Sequence, residues 1–200
     1  MKKVIKRTLC ILAILLFAFA YAHIAKTHKI YDGNIDPSEY GNIVESNPIV
    51  LEQRFVMQDK YLDGIRIKGV ENNDISQVFI KYSLREADSD KKVAEGEVNA
   101  KKSLKNRFYE LPFDRIENCK GKEYILTIEQ HSKDEESFVC FSFEKKVEPN
   151  TELLLNNNKI EGTLIVKTIT NRFDVETFFV VILFVFYMIF FIRLLYKLFK

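Results

Sequence analysis

Several signatures of chemistry are missing from this chain. There is no Gly-x-Ser-x-Gly elbow and no glycine-rich loop able to cradle a phosphate, so neither a serine nucleophile nor a nucleotide site is indicated. Histidine and cysteine are scarce, at three each. His23 and His28 are spaced i, i+5, which does not align them on a helix face, and His131 stands far off in the chain. Metal chemistry needs His or Cys at close, paired spacings, and no such pairs occur, so no metal or cofactor is implied. Cys10 lies inside a hydrophobic run, and no lipid-attachment cysteine follows that run. Cys119 and Cys140 lie outside it, and no base stands near either in the sequence to activate a nucleophile. A disulfide between those two suits an oxidising compartment, but sequence does not say whether their Cα atoms approach. The acidic groups Asp88-Ser89-Asp90 and Asp134-Glu135-Glu136 sit beside lysines in loop-like stretches. They read as solvated turns rather than a general acid/base pair; calcium binding by one of them stays open, since the oxygen-ligand spacing is not distinctive. No internal repeat is visible.

Charge of one sign is also lacking in the middle of the chain. From residue 26 to 172 there are 23 Lys/Arg and 26 Asp/Glu, a net of −3, within a whole that carries +2. The absence of a basic stripe argues against nucleic acid as a partner.

Two long hydrophobic runs are present instead, one at each end. Thr177 to Ile192 is free of charge, and Arg193, Lys197 and Lys200 follow it. With the stems of Arg193 and Lys197 snorkelling, a membrane span over 177–196 comes close to the ~20 residues that cross the hydrocarbon layer. Thr8 to Ala22, continuing weakly to Ala25, follows Lys2, Lys3, Lys6 and Arg7. It has two readings. A basic start, a short apolar core and Ala18-Phe19-Ala20 or Ala20-Tyr21-Ala22 fit a cleavable signal peptide. The length from Thr8 to Ala25 fits an uncleaved anchor. Ala18 and Ala22 lie four apart on one helix face, a spacing that lets a second helix approach closely, although alanine is common in any apolar helix. Both runs have their basic flank on the chain-terminal side, which predicts cytoplasmic termini and an outward-facing middle. Neither run has a charge in its middle, which argues against a pore.

Between the runs the chain divides again. Residues 26–47 are polar and broken by Asp32-Gly33, Asp36-Pro37, Tyr40-Gly41 and Asn47-Pro48, which predicts a stalk with at most one helical turn. Strand-like segments then recur: 49–57, 62–70, 78–85, 93–98, 108–113, 124–129, 138–144, 153–155 and 162–170. In the clearest, Val78, Ile80, Tyr82 and Leu84 face one way while Lys81, Ser83 and Arg85 face the other. No amphipathic helix interrupts them, so the fold class is mainly β, an antiparallel β-sandwich over 48–171 flanked by two transmembrane helices. Asn118 to Lys122 reads as a structural turn in which Gly121 takes a positive φ.

Three segments carry a resemblance. They are Leu62-Asp63-Gly64-Ile65-Arg66-Ile67, Val78 to Arg85, and Leu111-Pro112-Phe113-Asp114-Arg115-Ile116-Glu117-Asn118-Cys119-Lys120-Gly121-Lys122-Glu123-Tyr124. In this order they resemble the extracytoplasmic jelly-roll modules of bacterial cell-envelope membrane proteins, some of them linked to surface-glycan assembly, with Cys119 where serine is usual. The resemblance covers roughly residues 50–170. It implies a jelly-roll fold and an extracytoplasmic compartment, and it carries no catalytic residue to transfer.

The expectation is therefore a membrane-tethered, non-enzymatic β-sandwich outside the cell membrane, with the lipid bilayer, an envelope glycan or another membrane protein as partner. An envelope hydrolase or transferase is the alternative. Tyr61, Phe79, Phe108 and Tyr109 include positions that alternation does not force inward. Of these, Tyr61 and Tyr109 are the candidate contacts for a sugar ring or a partner, because an exposed aromatic offers an apolar face and a polar edge.

Overall fold

The computed structural model describes residues 2–44, 49–133 and 136–199. In chain order the elements are α1 (Lys2–Tyr21), β1 (His23–Lys29), β2 (Gly41–Ile43), β3 (Ile49–Val56), β4 (Tyr61–Asn72), β5 (Val78–Glu86), β6 (Lys92–Asn99), α2 (Ala100–Ser103) and β7 (Leu104–Lys105). They continue as β8 (Phe108–Glu117), β9 (Glu123–Ser132), β10 (Phe138–Glu144), β11 (Glu152–Leu155), β12 (Asn158–Ile160), β13 (Thr163–Leu164), β14 (Val166–Phe173) and α3 (Val175–Leu198). The chain divides into two compact units, one of residues 27–170 and one of residues 1–26 with 171–200.

The larger unit is mainly β, with two antiparallel sheets in a sandwich-like arrangement. One sheet runs β12-β11-β3-β9-β5-β6. The other is organised by β4, whose first half pairs with β14 and β8 and whose second half pairs with β10. Around that core β1 joins β14, β7 joins β8, and β2 and β13 join β10. Period-two patterning explains the layers. Ile49, Leu51, Gln53 and Phe55 of β3 and Val78, Ile80, Tyr82 and Leu84 of β5 are buried, while the residues alternating with them are not. They meet Ile65, Ile67, Tyr109, Leu111 and Phe141 from the other sheet in one core.

Polar side chains tie the layers where buried backbone would otherwise lack partners. Gln53 of β3 is fully buried; its Oε1 accepts from the Leu164 N–H (2.8 Å) and its Nε2 donates to the Glu152 carbonyl (3.2 Å). Gln130 of β9 exchanges two bonds with the backbone of Val139 on β10, at 3.0 and 3.2 Å. The Tyr82 hydroxyl donates to the Pro112 carbonyl across the sandwich.

The turns follow their side-chain chemistry. Asn156 and Asn157 both have positive φ, 49° and 65°, and close the two-residue hairpin between β11 and β12. Gly121 has φ 80°, as its place in the turn requires, and the turn is pinned to the chain before β4. The Gly121 N–H donates to the Met57 carbonyl (2.8 Å) and the Cys119 N–H to the Lys60 carbonyl (2.9 Å). These bonds make 118–122 a structural turn.

Two boundaries differ from expectation. The segment read as a stalk over 26–47 is built into a sheet: β1 pairs with β14, and β2 pairs with β10 through Phe141↔Ile43 and Phe143↔Gly41. Its one helical turn, Pro37–Glu39, is capped by Asp36, whose carboxylate accepts from the Ser38 N–H. The sandwich-like unit therefore begins well before residue 48. Asn47-Pro48 and Asp134-Glu135 lie outside the described residues.

In the smaller unit α3 is 24 residues long, strongly apolar, and has no buried residue. At 1.5 Å per residue it is long and apolar enough to cross a membrane. Asp174 caps its first turn by accepting from the Thr177 N–H at 2.9 Å. The expected first span over 8–25 is not found. Helix α1 ends at Tyr21, its apolar part is only Thr8–Tyr21, and His23 opens a strand. The polar run His23, Lys26, Thr27, His28 and Lys29 satisfies its backbone on a sheet instead of continuing a helix. Where α1 packs on α3, Ala18 and Ala22 are fully buried, and the Asp174 N–H donates to the Ala22 carbonyl at 2.9 Å.

Candidate functional site

The two sheets differ in how the charges on their outward faces are matched. On the β12-β11-β3-β9-β5-β6 sheet every strand-borne cation has a carboxylate. Arg54 meets Glu123 (3.1 Å) and Glu152 (3.9 Å), and Arg85 meets Glu52 (3.1 Å). Lys81 meets Glu129 (3.9 Å), Lys92 meets Glu95 (2.7 Å), and Lys159 meets Glu152 (2.9 Å). Such a lattice is a solvated, self-neutralised surface.

The outward face around β4 is different. Register sets Lys167 of β14 beside Arg66 of β4, and Arg66 beside Glu110 of β8. One row along, Lys68 lies beside Phe108, which in turn lies beside Lys105 of β7. Glu110 is shared by Arg66 and Lys105. Burial would raise its carboxyl, but those two cations hold it below the usual range. Lys68, Lys167 and Arg107 have no carboxylate partner among the described residues. Burial pushes the Lys68 ammonium below its ordinary pKa, and Arg107 adds repulsion. Lys167 is lowered by burial and then by Lys29, Arg66 and Lys68. Aromatic rings rather than anions face both lysines: Tyr40 lies 4.5 Å from Lys68 and Phe108 4.2 Å from Lys167.

Beside Lys68 the face dips into an open cleft of about 620 Å³ lined by Ser38, Tyr40, Asn42, Lys68, Val70 and Arg107, with Glu71 its one carboxylate. Arg107 reaches it from the two-residue turn between β7 and β8, where Asn106 and Arg107 have φ 51° and 66°. Arginine at the second position of such a turn stands where glycine is preferred. The arrangement can hold an anion: a half-buried ammonium and a guanidinium line one concave surface, and its single carboxylate, Glu71, forms no ion pair with either.

The aromatic candidates fall elsewhere. Tyr109 is fully buried beside Ile67 in the core, with its ring edge-on to Phe141. It therefore cannot serve as a surface contact. On β8 the outward residues are Phe108 and Glu110, a phase that only the pairing with β4 reveals. Tyr61 is half-buried at the opposite end of the β4–β8 ladder, with Lys60 (5.2 Å) and Arg115 (5.0 Å) over its ring. The structure does not bring it together with Tyr109 or with the cleft. Phe79 stacks on His131 at 5.6 Å. The sequence signals for this face are Arg66 and Lys68, which alternate with apolar residues along 62–70, and Phe108 among the candidate aromatics. Tyr40, Arg107 and Lys167 carried none, because long-range pairing assembles them.

Other groups offer less chemistry. Cys119 and Cys140 are buried free thiols, not a disulfide, and burial raises both above the ordinary thiol range. Cys119 donates to the Ile116 carbonyl at 3.2 Å. Among the described residues no three His, Cys, Asp or Glu side chains group as metal ligands.

No family model and no curated protein sequence matches the chain. Among solved structures it is similar to a clostridial cysteine protease, Cwp84, after propeptide cleavage, at 15% identity and a TM-score of 0.45, over 74% of this chain and 40% of that one. A structure of the cysteine protease and lectin-like domains of Cwp84, a surface layer associated protein of Clostridium difficile, gives 16% identity and a TM-score of 0.42, over 68% and 37%. The Gx strain of infectious bursal disease virus gives 12% identity and a TM-score of 0.20, over 74% and 35%. The chain thus spans 40% or less of these proteins, and at such scores the likenesses assign no activity. What fold and site define is a β-sandwich-like unit with a cleft where Lys68 and Arg107 stand without an ion-pair partner among the described residues, in a chain that also holds an apolar helix long enough to cross a membrane.

Proposed function

We propose that the protein is a membrane-anchored binding or scaffolding module without catalytic activity. In this reading α3 spans the cell membrane with its basic end cytoplasmic, and α1 packs against it. The sandwich, jelly-roll-like, then works on the outer side, on an envelope glycan or another membrane protein. The observation that carries the binding role is the contrast between the two sheet faces. One has neutralised its own cations, and the other keeps Lys68 and Arg107 at a cleft, and Lys167 on the neighbouring β14, without a carboxylate partner among the described residues. Keeping unpaired charge half-buried costs folding free energy, and a ligand that supplies the missing anion offsets that cost. The basic flanks of the two hydrophobic ends support the orientation.

The test uses the full-length protein in detergent, incubated with isolated envelope polysaccharide. Retention of the protein with no rise in reducing ends is the expected result. A rise in reducing ends makes the protein a hydrolase, and a protein that flows through unretained loses the glycan-binding role.

A further inference from the structure

We infer that the cleft bounded by Tyr40, Lys68 and Arg107 takes an acidic saccharide, one whose carboxylate or phosphate sits between the Lys68 ammonium and the Arg107 guanidinium. The inference rests on the binding role proposed above and narrows its ligand.

Three observations on the same surface converge. The first is charge balance. Across β14, β4, β8 and β7 two adjacent outward rows contain Lys167 and Arg66, then Lys68 and Lys105, with Arg107 at the hairpin tip, and within those rows Glu110 is the one carboxylate. Glu71, at the cleft, pairs with neither Lys68 nor Arg107. An oxyanion placed there meets a monodentate ammonium and a guanidinium fork, the pairing that recognises planar carboxylate or tetrahedral phosphate. The second is shape. The site is a concavity of about 620 Å³, within the range of small-ligand clefts, whereas a bilayer surface calls for a convex or flat basic face. The third is the remaining lining. Ser38 and Asn42 offer hydrogen-bonding groups, and Val70, half-exposed, offers a small apolar surface. Hydroxyl partners beside a patch of C–H surface suit a pyranose ring better than an acidic peptide backbone.

Arg107 adds to this. Its backbone is held in the left-handed region at φ 66°, where a non-glycine residue is disfavoured. A glycine would relieve the turn, and the arginine that stands there projects a charge at the rim of the cleft.

The experiment measures retention of the full-length protein, in micelles of a neutral detergent, on four immobilised polymers and one membrane. Polygalacturonate supplies carboxylates, phosphomannan supplies phosphates and pullulan is neutral. Poly-L-glutamate is an acidic polypeptide, and phosphatidylglycerol vesicles are an anionic membrane. Retention on polygalacturonate, phosphomannan or both is expected, weakening as salt rises, with little on pullulan. Lys68→Gln with Arg107→Gln lowers that retention on the order of tenfold. Lys81→Gln with Lys92→Gln, on the neutralised sheet, leaves it unchanged. Melting temperatures of both double variants near that of the parent show that folding is intact. Equal retention on pullulan, or no loss in the Lys68/Arg107 variant, overturns the acidic-saccharide assignment and leaves glycan binding standing. Preference for poly-L-glutamate or the vesicles overturns it in favour of an acidic protein or a membrane surface. Retention on no saccharide overturns both this inference and the reading beneath it.

Discussion

Replacing Tyr109 separates a core residue from a ligand contact. Its side chain is fully buried, with the ring edge-on to Phe141 at 6.5 Å, and the space above Gly69 is closed by the same ring at 3.0 Å from an added Cβ. Tyr109→Ala empties that volume. Truncating a buried aromatic side chain costs about 3–5 kcal/mol, because lost transfer free energy and the residual cavity add. At about 3 °C per kcal/mol for a unit of this size, the melting temperature falls by roughly 10–15 °C. The hydroxyl is another matter. It is buried without a hydrogen-bond partner among the described residues, and burial, with Glu71 nearby, pushes the phenol well above its ordinary pKa. Tyr109→Phe removes an unsatisfied polar atom, a defect that costs about 1–3 kcal/mol in a folded protein. The Phe variant therefore melts at or above the parent temperature, and its retention on any ligand is unchanged. Thermal melts of the full-length protein in micelles, followed by far-ultraviolet circular dichroism, give both numbers. A Phe variant as damaged as the Ala variant refutes the reasoning, since the hydroxyl then has a partner.

Three further substitutions probe other parts of the fold. Glu144 is almost wholly buried, and burial, then Glu148 and Asp32, raise its carboxyl against the opposing hydrogen bond from the Asp32 N–H. The folded state thus holds this proton more tightly than the unfolded chain, and stability is lost as pH rises through and above the usual carboxylate range. Glu144→Gln melts higher than the parent at pH 8 and loses that advantage near pH 4; a gap that does not change with pH contradicts the assignment. Gly121→Ala meets no atom within 4 Å but keeps φ 80°, so it lowers stability by about 1 kcal/mol through backbone strain alone, read as a small drop in melting temperature. Ala18→Leu with Ala22→Leu places bulk where α1 packs on α3, so disulfide cross-linking between cysteine pairs introduced along the two helices falls severalfold. Unchanged cross-linking removes that packing from the account.

Most of the sandwich was legible in local patterning, because each strand carries its own record of which face is buried. Val78 to Leu84 is the clearest case, and Gly121 shows that a turn residue can announce its φ. What failed was whatever depends on a distant partner. Residues 26–47 carry turn signals and few apolar residues, yet His23–Lys29 and Gly41–Ile43 become strands because β14 and β10 present free edges to them. The same cause moved the first helix boundary to Tyr21. Tyr109 was misplaced because Phe108 and Tyr109 are adjacent aromatics whose phase is ambiguous until β4 fixes it. The cleft was hidden most completely. Tyr40, Lys68 and Arg107 come from three separate stretches, and only the unmatched charge around Lys68 marks them once the sheet is assembled.

In the proposed reading α3 crosses the membrane and the sandwich stands outside it. Glu161 is exposed between β12 and β13, while the native Cys119 and Cys140 are buried. Glu161→Cys in the full-length chain, treated on intact cells with a membrane-impermeant maleimide, is predicted to label as fully as after lysis, with the parent chain as background. Labelling that appears only once the cells are broken contradicts the claim.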